Sequence, residues 1–407
     1  MKILFLCGYF SESVEKQITK DSSSGIQYAA NKFQKNIICG LRENRIEMEV
    51  LSTPFIAPYP QGYKKVFFAP PPPEKSPTTI NYAGFCNIWG IRNISRRYAI
   101  RKAITAFTKE KSDEKVILVY SLHTPFLKAA VEAKLRNPEL TLCVIVPDLP
   151  QYMRLDSSSH PFYSIAKKID IFFQNRLLKK FDFFVLLTQE MATHLKIEDE
   201  RYTIIEGIAD LTSKKMPNNL SGKYTKKVCL YAGGIQTSYG VPMLCEAFMN
   251  ANIPNAELHL YGRGDYEEEL IRICQTTPTI KYLGTTTNSK ILEEETKATI
   301  LINPRPTHGE FTKYSFPSKN IEYMASGTPL LTTKLPGMPK EYYKYVYTIN
   351  EETAHGLSST LKQLFLKPKE ILHEKGIAAK EFILSKKNYV QQTRRIIDLL
   401  TSREKLQ

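Results

Sequence analysis

Residues Glu310 to Thr333 read EFTKYSFPSKNIEYMASGTPLLTT, and the rest of the chain is interpreted outward from them. Pro317 is expected in the first turn of a helix, where its missing N–H costs nothing and its fixed φ is already helical. Ser318, Lys319 and Asn320 follow, so backbone N–H groups and an ammonium group gather at the positive end of the helix dipole. Glu322 lies three residues after Lys319, on the same helix face. Gly327 is expected to end the helix, and Thr328-Pro329-Leu330-Leu331 reads as a turn running into a short strand. A cationic helix mouth with a carboxylate one turn inside suits a nucleoside diphosphate, with dipole and lysine for phosphate and carboxylate for ribose hydroxyls. The other reading of the same residues is an ordinary surface helix with a proline start.

Bulk properties bound the answer. A chain of 407 residues holds two domains of ordinary size, each able to bury its own core. Hydrophobic residues make up 42%, yet no run approaches the ~18 apolar residues of a membrane helix. Met1-Lys-Ile-Leu-Phe-Leu-Cys7 reads as a first strand rather than a signal peptide, because its apolar run is short and Gly8 breaks it. Seven cysteines stand singly, without a CxxC pair, which argues against a disulfide framework and for a cytoplasmic location. The excess of 56 Lys+Arg over 41 Asp+Glu gives +15 and favours anionic partners such as nucleotides, polyphosphates or an anionic membrane surface. Nucleic acid is not expected, since no concentrated basic–aromatic tract accompanies the charge.

Apolar, β-rich runs recur at 2–7, 47–52, 116–121, 141–147, 182–188 and 202–206, and again at 228–232, 257–261, 280–283, 298–303 and 329–333. Helical patterns lie between several of them, so each series predicts a parallel sheet covered by helices. The polar stretch 212–223 is expected to be the linker between a domain at 1–211 and another at 224–385, with a terminal helix at 386–407. Residues 54–90, with Pro70 to Pro73, read as a long loop, of a length that is usually functional or disordered.

The N-terminal half offers three further features. Ser22-Ser-Ser-Gly25 precedes a helical pattern from Ile26 to Leu41, either as an anion-binding helix start or as an N-cap without ligand. His123 follows the strand ending at Tyr120, and Asp148 follows the strand ending at Val146. Residues just past the carboxyl ends of parallel strands face a ligand crevice, so both are candidates for the chemistry; the alternatives are a structural histidine and an Asx-turn. Ile165 to Lys180 carries five basic residues beside Ile165, Ile169, Phe172 and Phe173. It reads as a core helix with a solvated basic edge, the competing reading being a membrane-surface helix.

Four blocks in order, across residues 228–327, resemble the C-terminal half of GT-B glycosyltransferases, in particular the retaining family 4 and its bacterial surface-polysaccharide branch. They are Val228-Cys-Leu-Tyr-Ala-Gly233-Gly234-Ile235 with Gly240-Val-Pro-Met-Leu244, Leu258-His-Leu-Tyr-Gly262-Arg263-Gly264-Asp265, Ile280-Lys-Tyr-Leu-Gly284, and Leu301-Ile-Asn-Pro-Arg305 leading into the FPSK…E helix. The resemblance implies an α/β fold of two Rossmann-like domains facing each other across a cleft, the first binding acceptor and the second donor. It implies a terminal helix packing back on the first domain. The implied donor-binding residues are Gly25, Gly233, Gly234, Arg263, Gly284, Tyr314, Ser318, Lys319 and Glu322, with Lys319, Arg305, His123 and Asp148 as catalytic candidates. The implied reaction moves a sugar, with retention, from a nucleoside-diphosphate sugar to a saccharide or polyprenyl-linked saccharide in capsular or exopolysaccharide synthesis, with contact at the inner membrane face. No cofactor is implied, and no Asp-x-Asp motif offers a metal site; enzyme cations would neutralise the leaving diphosphate.

Two departures stand out. Many family 4 enzymes carry two glutamates separated by seven residues; Glu322 matches the second, but the first position is Tyr314, with Glu310 four residues earlier. Many also place Arg and Lys after the first donor-domain strand, where this chain has Gly234-Ile-Gln-Thr-Ser-Tyr-Gly240. Arg263 reads either as a donor cation or as a turn residue capped by Asp265. These departures leave open an inactive GT-B-shaped binder; further off, a nucleotide-sugar epimerase shares the GT-B shape and is compatible with His123 and Asp148.

Overall fold

The structure, a computed structural model, describes residues 1–23, 26–73, 78–110, 114–152 and 161–402. The chain divides into two compact units, one of Met1–Glu206 with Tyr389–Gln407 and one of Gly207–Asn388.

The first unit contains strands β1 (Lys2–Cys7), β2 (Glu47–Ser52), β3 (Phe67–Phe68), β4 (Ile80–Tyr82), β5 (Phe85–Cys86), β6 (Lys115–Tyr120), β7 (Thr141–Val146), β8 (Phe183–Leu186) and β9 (Tyr202–Ile204). Seven form a parallel sheet in the order β4-β2-β1-β6-β7-β8-β9, while β3 and β5 pair antiparallel beside it. Its helices include α1 (Glu12–Asp21), α2 (Tyr28–Glu43), α3 (Arg92–Lys109), α4 (Thr124–Arg136), α5 (Pro161–Leu178) and α6 (Gln189–Leu195). β7, Thr-Leu-Cys-Val-Ile-Val, is buried at every position, as a central parallel strand covered on both faces must be.

The second unit contains β10 (Lys227–Ala232), β11 (Ala256–Tyr261), β12 (Ile280–Tyr282), β13 (Ile300–Asn303), β14 (Leu330–Thr333) and β15 (Tyr347–Ile349), with α7 (Val241–Ala251), α8 (Glu267–Thr276), α9 (Asn288–Lys297), α10 (Ser318–Ser326), α11 (Ala354–Phe365) and α12 (Lys369–Lys386). All six strands are parallel, in the order β12-β11-β10-β13-β14-β15. Alternate residues of β10 feed two cores. Cys229 and Tyr231 pack with Leu244 and Phe248 of α7 and Leu357 and Leu361 of α11. Val228, Leu230 and Ala232 pack with Tyr323 and Met324 of α10 and Ala379 and Ile383 of α12. The last helix, α13 (Tyr389–Thr401), belongs to the first unit: Asn44 Nδ2 donates to Val390 O and to Thr393 Oγ1, each at 3.0 Å.

In both sheets the first strand lies inside, the second and third to one side and the fourth onward to the other. This doubly wound order has a switch point at β1/β6 and at β10/β13, where adjacent connections diverge and leave a crevice at the carboxyl ends.

Three expectations change. Residues 54–90 are not one loop: β4 extends the sheet beside β2, and the β3/β5 pair lies nearby. The short two- and three-residue strands there carry too little periodicity to be seen in sequence. β15 was likewise too short to register. Pro317 stands one residue before α10 as its N-cap, with ψ 116°, because Ser318 opens the helix.

Candidate active site

In the second unit the turns that follow the strands interlock. Ile235 N–H donates to Arg263 O at 2.9 Å, and Gly262 N–H to Gly284 O at 2.8 Å. Gly262 sits at φ +136°, and a Cβ there would lie 1.7 Å from Gly233 O, so only glycine allows these two turns to approach. Gly240, at φ +80°, is equally confined, with its Cβ position 2.3 Å from Pro304 O. The turn after β10 is thereby pressed against the turn after β13, at the switch point. Tyr231 hydroxyl donates to Gly234 O at 2.8 Å and braces the same turn.

Helix α10 is pinned to that edge by two buried polar residues. Asn303 Nδ2, at the end of β13, donates to Asn320 Oδ1 at 2.7 Å, holding the first turn of the helix. Ala232 N–H donates to Tyr323 Oη at 2.8 Å, and the same hydroxyl donates to Ala232 O at 3.1 Å. Burial keeps the Tyr323 phenol protonated, so it serves both roles. The helix mouth therefore opens beside the ends of β10 and β13. Ser318 is exposed there, and the first-turn N–H groups of Ser318 and Lys319 lie outside the helix ladder, while that of Asn320 donates to Pro317 O at 3.0 Å.

Lys319 Nζ lies 3.6 Å from Glu322 Oε2, with the side chains 37% and 24% exposed. Such a pair contributes only about 0–1 kcal/mol, so either member can exchange its partner for a ligand at little cost. Arg305, two residues past β13, has its Cζ 5.4 Å above the Tyr239 ring and 5.2 Å above the Phe311 ring. Its guanidinium thus lies between the turn after β10 and the 3-10 turn Glu310–Tyr314 that precedes α10, held by aromatic faces. Tyr314 ends that turn and is half-buried. Asp265 does not cap Arg263; it accepts from Thr237 N–H at 2.7 Å and tightens the turn after β10.

The structure therefore brings Gly233, Gly234, Arg305, Ser318, Lys319 and Glu322 to one edge of one sheet. Arg263 and Gly284 join through backbone bonds of the neighbouring turns. Gly25 lies outside the described residues. Asn320 and Tyr323 were missed as positioning residues; the available signal was their place on the helix face that also carries Met324.

His123 and Asp148 belong to the first unit. His123 is the N-cap residue of α4, just past β6, and Asp148 follows β7. Both line a cavity of about 400 Å³ at the carboxyl edge of that sheet, with Tyr120, Arg92 and Arg96. Burial, then Arg96 and Arg92, hold the His123 imidazole well below its ordinary range, so it is neutral. Its ring stands edge-on to Phe55 and Phe126. For α2, the N-cap is Gln27 and carries no side-chain cap; of the stretch Ser22-Ser-Ser-Gly25, Ser24 and Gly25 lie outside the described residues.

α5 departs most from expectation. Ile165, Ile169, Phe172 and Phe173 are 57, 52, 58 and 44% exposed. The helix meets α4 through polar groups: Thr124 Oγ1 donates to Asp170 Oδ1 at 2.6 Å and accepts from Nε2 of the buried Gln174 at 3.1 Å, and Gln174 also donates within α5 to Asp170 Oδ2 at 2.8 Å. A polar hydrogen-bonded seam replaces the apolar one, leaving the apolar residues outward.

Residues 226–365 match the family described as glycosyl transferases group 1. The chain thus carries a glycosyltransferase domain and is an enzyme of that class. No curated protein matches the sequence. Among solved structures, sucrose-phosphate synthase from Thermosynechococcus elongatus is 14% identical with a TM-score of 0.66, each chain covered to 100%. HepE from Anabaena in complex with UDP is 13% identical with a TM-score of 0.63, covering 99% of this chain and 100% of its own. The lipopolysaccharide outer core galactosyltransferase WaaB, in apo form, is 12% identical with a TM-score of 0.63 over 99% of this chain and 100% of its own. At such identities the likeness establishes fold, and the fold is GT-B.

Proposed function

We propose that this chain moves a sugar from a nucleoside-diphosphate sugar to a saccharide or lipid-linked saccharide acceptor, with retention, as a family 4 enzyme of bacterial cell-surface polysaccharide synthesis. The observation that supports the donor half is the pinning of α10 at the β10/β13 switch point, where helix-mouth N–H groups, Lys319 and Arg305 would take the diphosphate. HepE with bound UDP supports the choice of nucleotide. Glu322 would take ribose hydroxyls, and Tyr314 replaces the carboxylate usual at its position. As the sugar–phosphate bond breaks, charge grows on the diphosphate and these fixed cations stabilise it without a metal ion. His123 and Asp148 would orient the acceptor hydroxyl, and the leaving phosphate would take its proton.

We place the enzyme in the cytoplasm at the inner membrane face. No helix among the described residues is long and apolar enough to cross a membrane. The outward Ile165, Ile169, Phe172 and Phe173 of α5, with Lys167, Lys168 and Arg176 beside them, suit shallow insertion into an anionic interface. Flotation with phosphatidylglycerol vesicles should carry the protein, and Phe172→Ser with Phe173→Ser should release it.

The donor assignment is tested by a thermal-shift panel of nucleoside diphosphates and their sugars. A ligand at 100 times its Kd adds about 2.7 kcal/mol of stability. Absence of a shift with every nucleotide would sink the reading. The anomeric configuration of the product, read by NMR, tests retention.

A further inference from the structure

The cavity of the first unit holds a cationic wall that the transfer mechanism above does not use. Arg92 and Arg96 stand four residues apart on α3 and share a helix face. Both line the cavity, with His123, Tyr120 and Asp148. Arg96 is only 1% exposed. Its Nη2 donates to Pro54 O at 2.7 Å, its Cζ lies 4.1 Å over the Phe85 ring, and its Nη1 is 3.5 Å from His123 Nε2. Its Nε–H is buried without a partner. Arg92 Nη1 reaches Ile56 O at 3.5 Å.

Every hydrogen-bond partner of Arg96 among the described residues is neutral. A buried guanidinium held only by a carbonyl, an aromatic face and an uncharged imidazole is an uncompensated charge, and such charges are costly unless something pairs with them. Burial and the neighbouring Arg92 push its pKa down to about 9, which still leaves it charged at pH 7. The carboxylate in the lining, Asp148, helps keep the Tyr120 phenol protonated, after burial itself. A core that needed only packing would be served better by an apolar side chain. The arrangement suits a ligand that brings the missing negative charge.

We propose that this cavity binds an oxyanion of the acceptor, a phosphate or carboxylate group, with Arg92 and Arg96 as its counter-charges. The word acceptor rests on the transferase reading; the anion site itself does not. Its size falls in the ~300–1,000 Å³ range of small-molecule sites, enough for a sugar ring with its charged group. The planar fork of arginine matches both oxyanions in two-point geometry. The charge has two sources, an acidic or phosphorylated saccharide or the phosphate of a lipid carrier.

Calorimetry on the full chain separates these. Glucose 6-phosphate, glucuronate and farnesyl phosphate are titrated against glucose as the neutral control. At least one anion should bind where glucose does not, and Arg92→Gln and Arg96→Gln should each weaken it about 10- to 100-fold, the range for a hydrogen bond to a charged group. Binding of the sugar anions places the charge in the saccharide, and binding of farnesyl phosphate alone places it in the carrier. Anions that bind no better than glucose, or binding that survives Arg92→Gln, would overturn the site. Arg92 is half-buried, so its variant keeps the test open if the Arg96 variant does not fold. UDP titrated into the same proteins is the independent control: binding unchanged by either substitution is expected. If wild type binds the anions but not UDP, the transferase reading falls and the anion site stands.

Discussion

The two units share one strand order and place their candidate sites at the same topological point, yet they treat charge in opposite ways. In the second unit the cations at the β10/β13 edge are partly exposed: Lys319 leans on Glu322, and Arg305 lies between aromatic rings. In the first, Arg96 is nearly sealed beside a neutral histidine. Exposed cations can follow charge that moves during a reaction, whereas a buried one selects what enters. Topology sets where a ligand sits, and side chains set what it must be.

The sharpest way to break this comparison is at Lys319. In the proposed mechanism its interaction with the diphosphate would strengthen as the glycosidic bond breaks, so removing it should affect transfer more than binding. Lys319→Ala is expected to lower kcat about 10²–10³-fold with a smaller rise in KM. Lys319→Arg should recover part of the loss, since a fork replaces a point charge. Wild-type kcat in Lys319→Ala, measured at steady state, would make it an ordinary helix lysine.

A half-buried lysine of the second unit shows what desolvation does to a cation. Lys223 donates to Ala298 O at 3.0 Å and to Thr328 Oγ1 at 2.8 Å, and burial pushes its pKa down to about 7. Unfolded, it titrates near 10.5. Between these values the unfolded chain binds the extra proton, so this lysine makes stability rise with pH from about 7 to 10.5 and fall again on acidification. Lys223→Met should flatten that slope, with a difference of up to about 5 kcal/mol between the ends of the window. Denaturant titrations across that window measure it, and an unchanged slope would mean that Lys223 stays charged in the fold.

Glu322→Ala should cost less, about tenfold in nucleotide affinity, one hydrogen-bonded contact being lost at a half-buried position. Calorimetry on a variant with native circular dichroism checks it; unchanged affinity would remove Glu322 from the ribose site. The smallest expected effect is none: turnover should persist in EDTA, because Lys319 and Arg305 are assigned the charge a metal would neutralise. Activity lost on chelation and restored by Mg²⁺ would reassign that role.

The α/β class, the two series of strands and the helix mouth at 318–320 were legible because each is written locally: apolar runs of strand length, a proline and a glycine bracketing nine helical residues. The exposed apolar face of α5 was not. Its residues pattern like a core helix, and only the polar seam of Asp170 and Gln174 against Thr124 reveals which side faces the protein. Short strands such as β4 and β15 escaped for a related reason, since three residues have no period until a neighbouring strand supplies one.

By itself, then, the chain determined its repeating units and the ends of its strands, because propensity and burial act through near neighbours. The tertiary structure decided which of those ends meet. Asn303 reaches Asn320 and Tyr323 reaches Ala232 across 17 and 91 residues, and Arg96 finds Pro54 and His123 across 42 and 27. Pairings at such separations follow from how the sheets wind, which no local pattern encodes. That is why Lys319 could be named from its helix, while the buried arginine that sets the character of the other cavity emerged only from its surroundings.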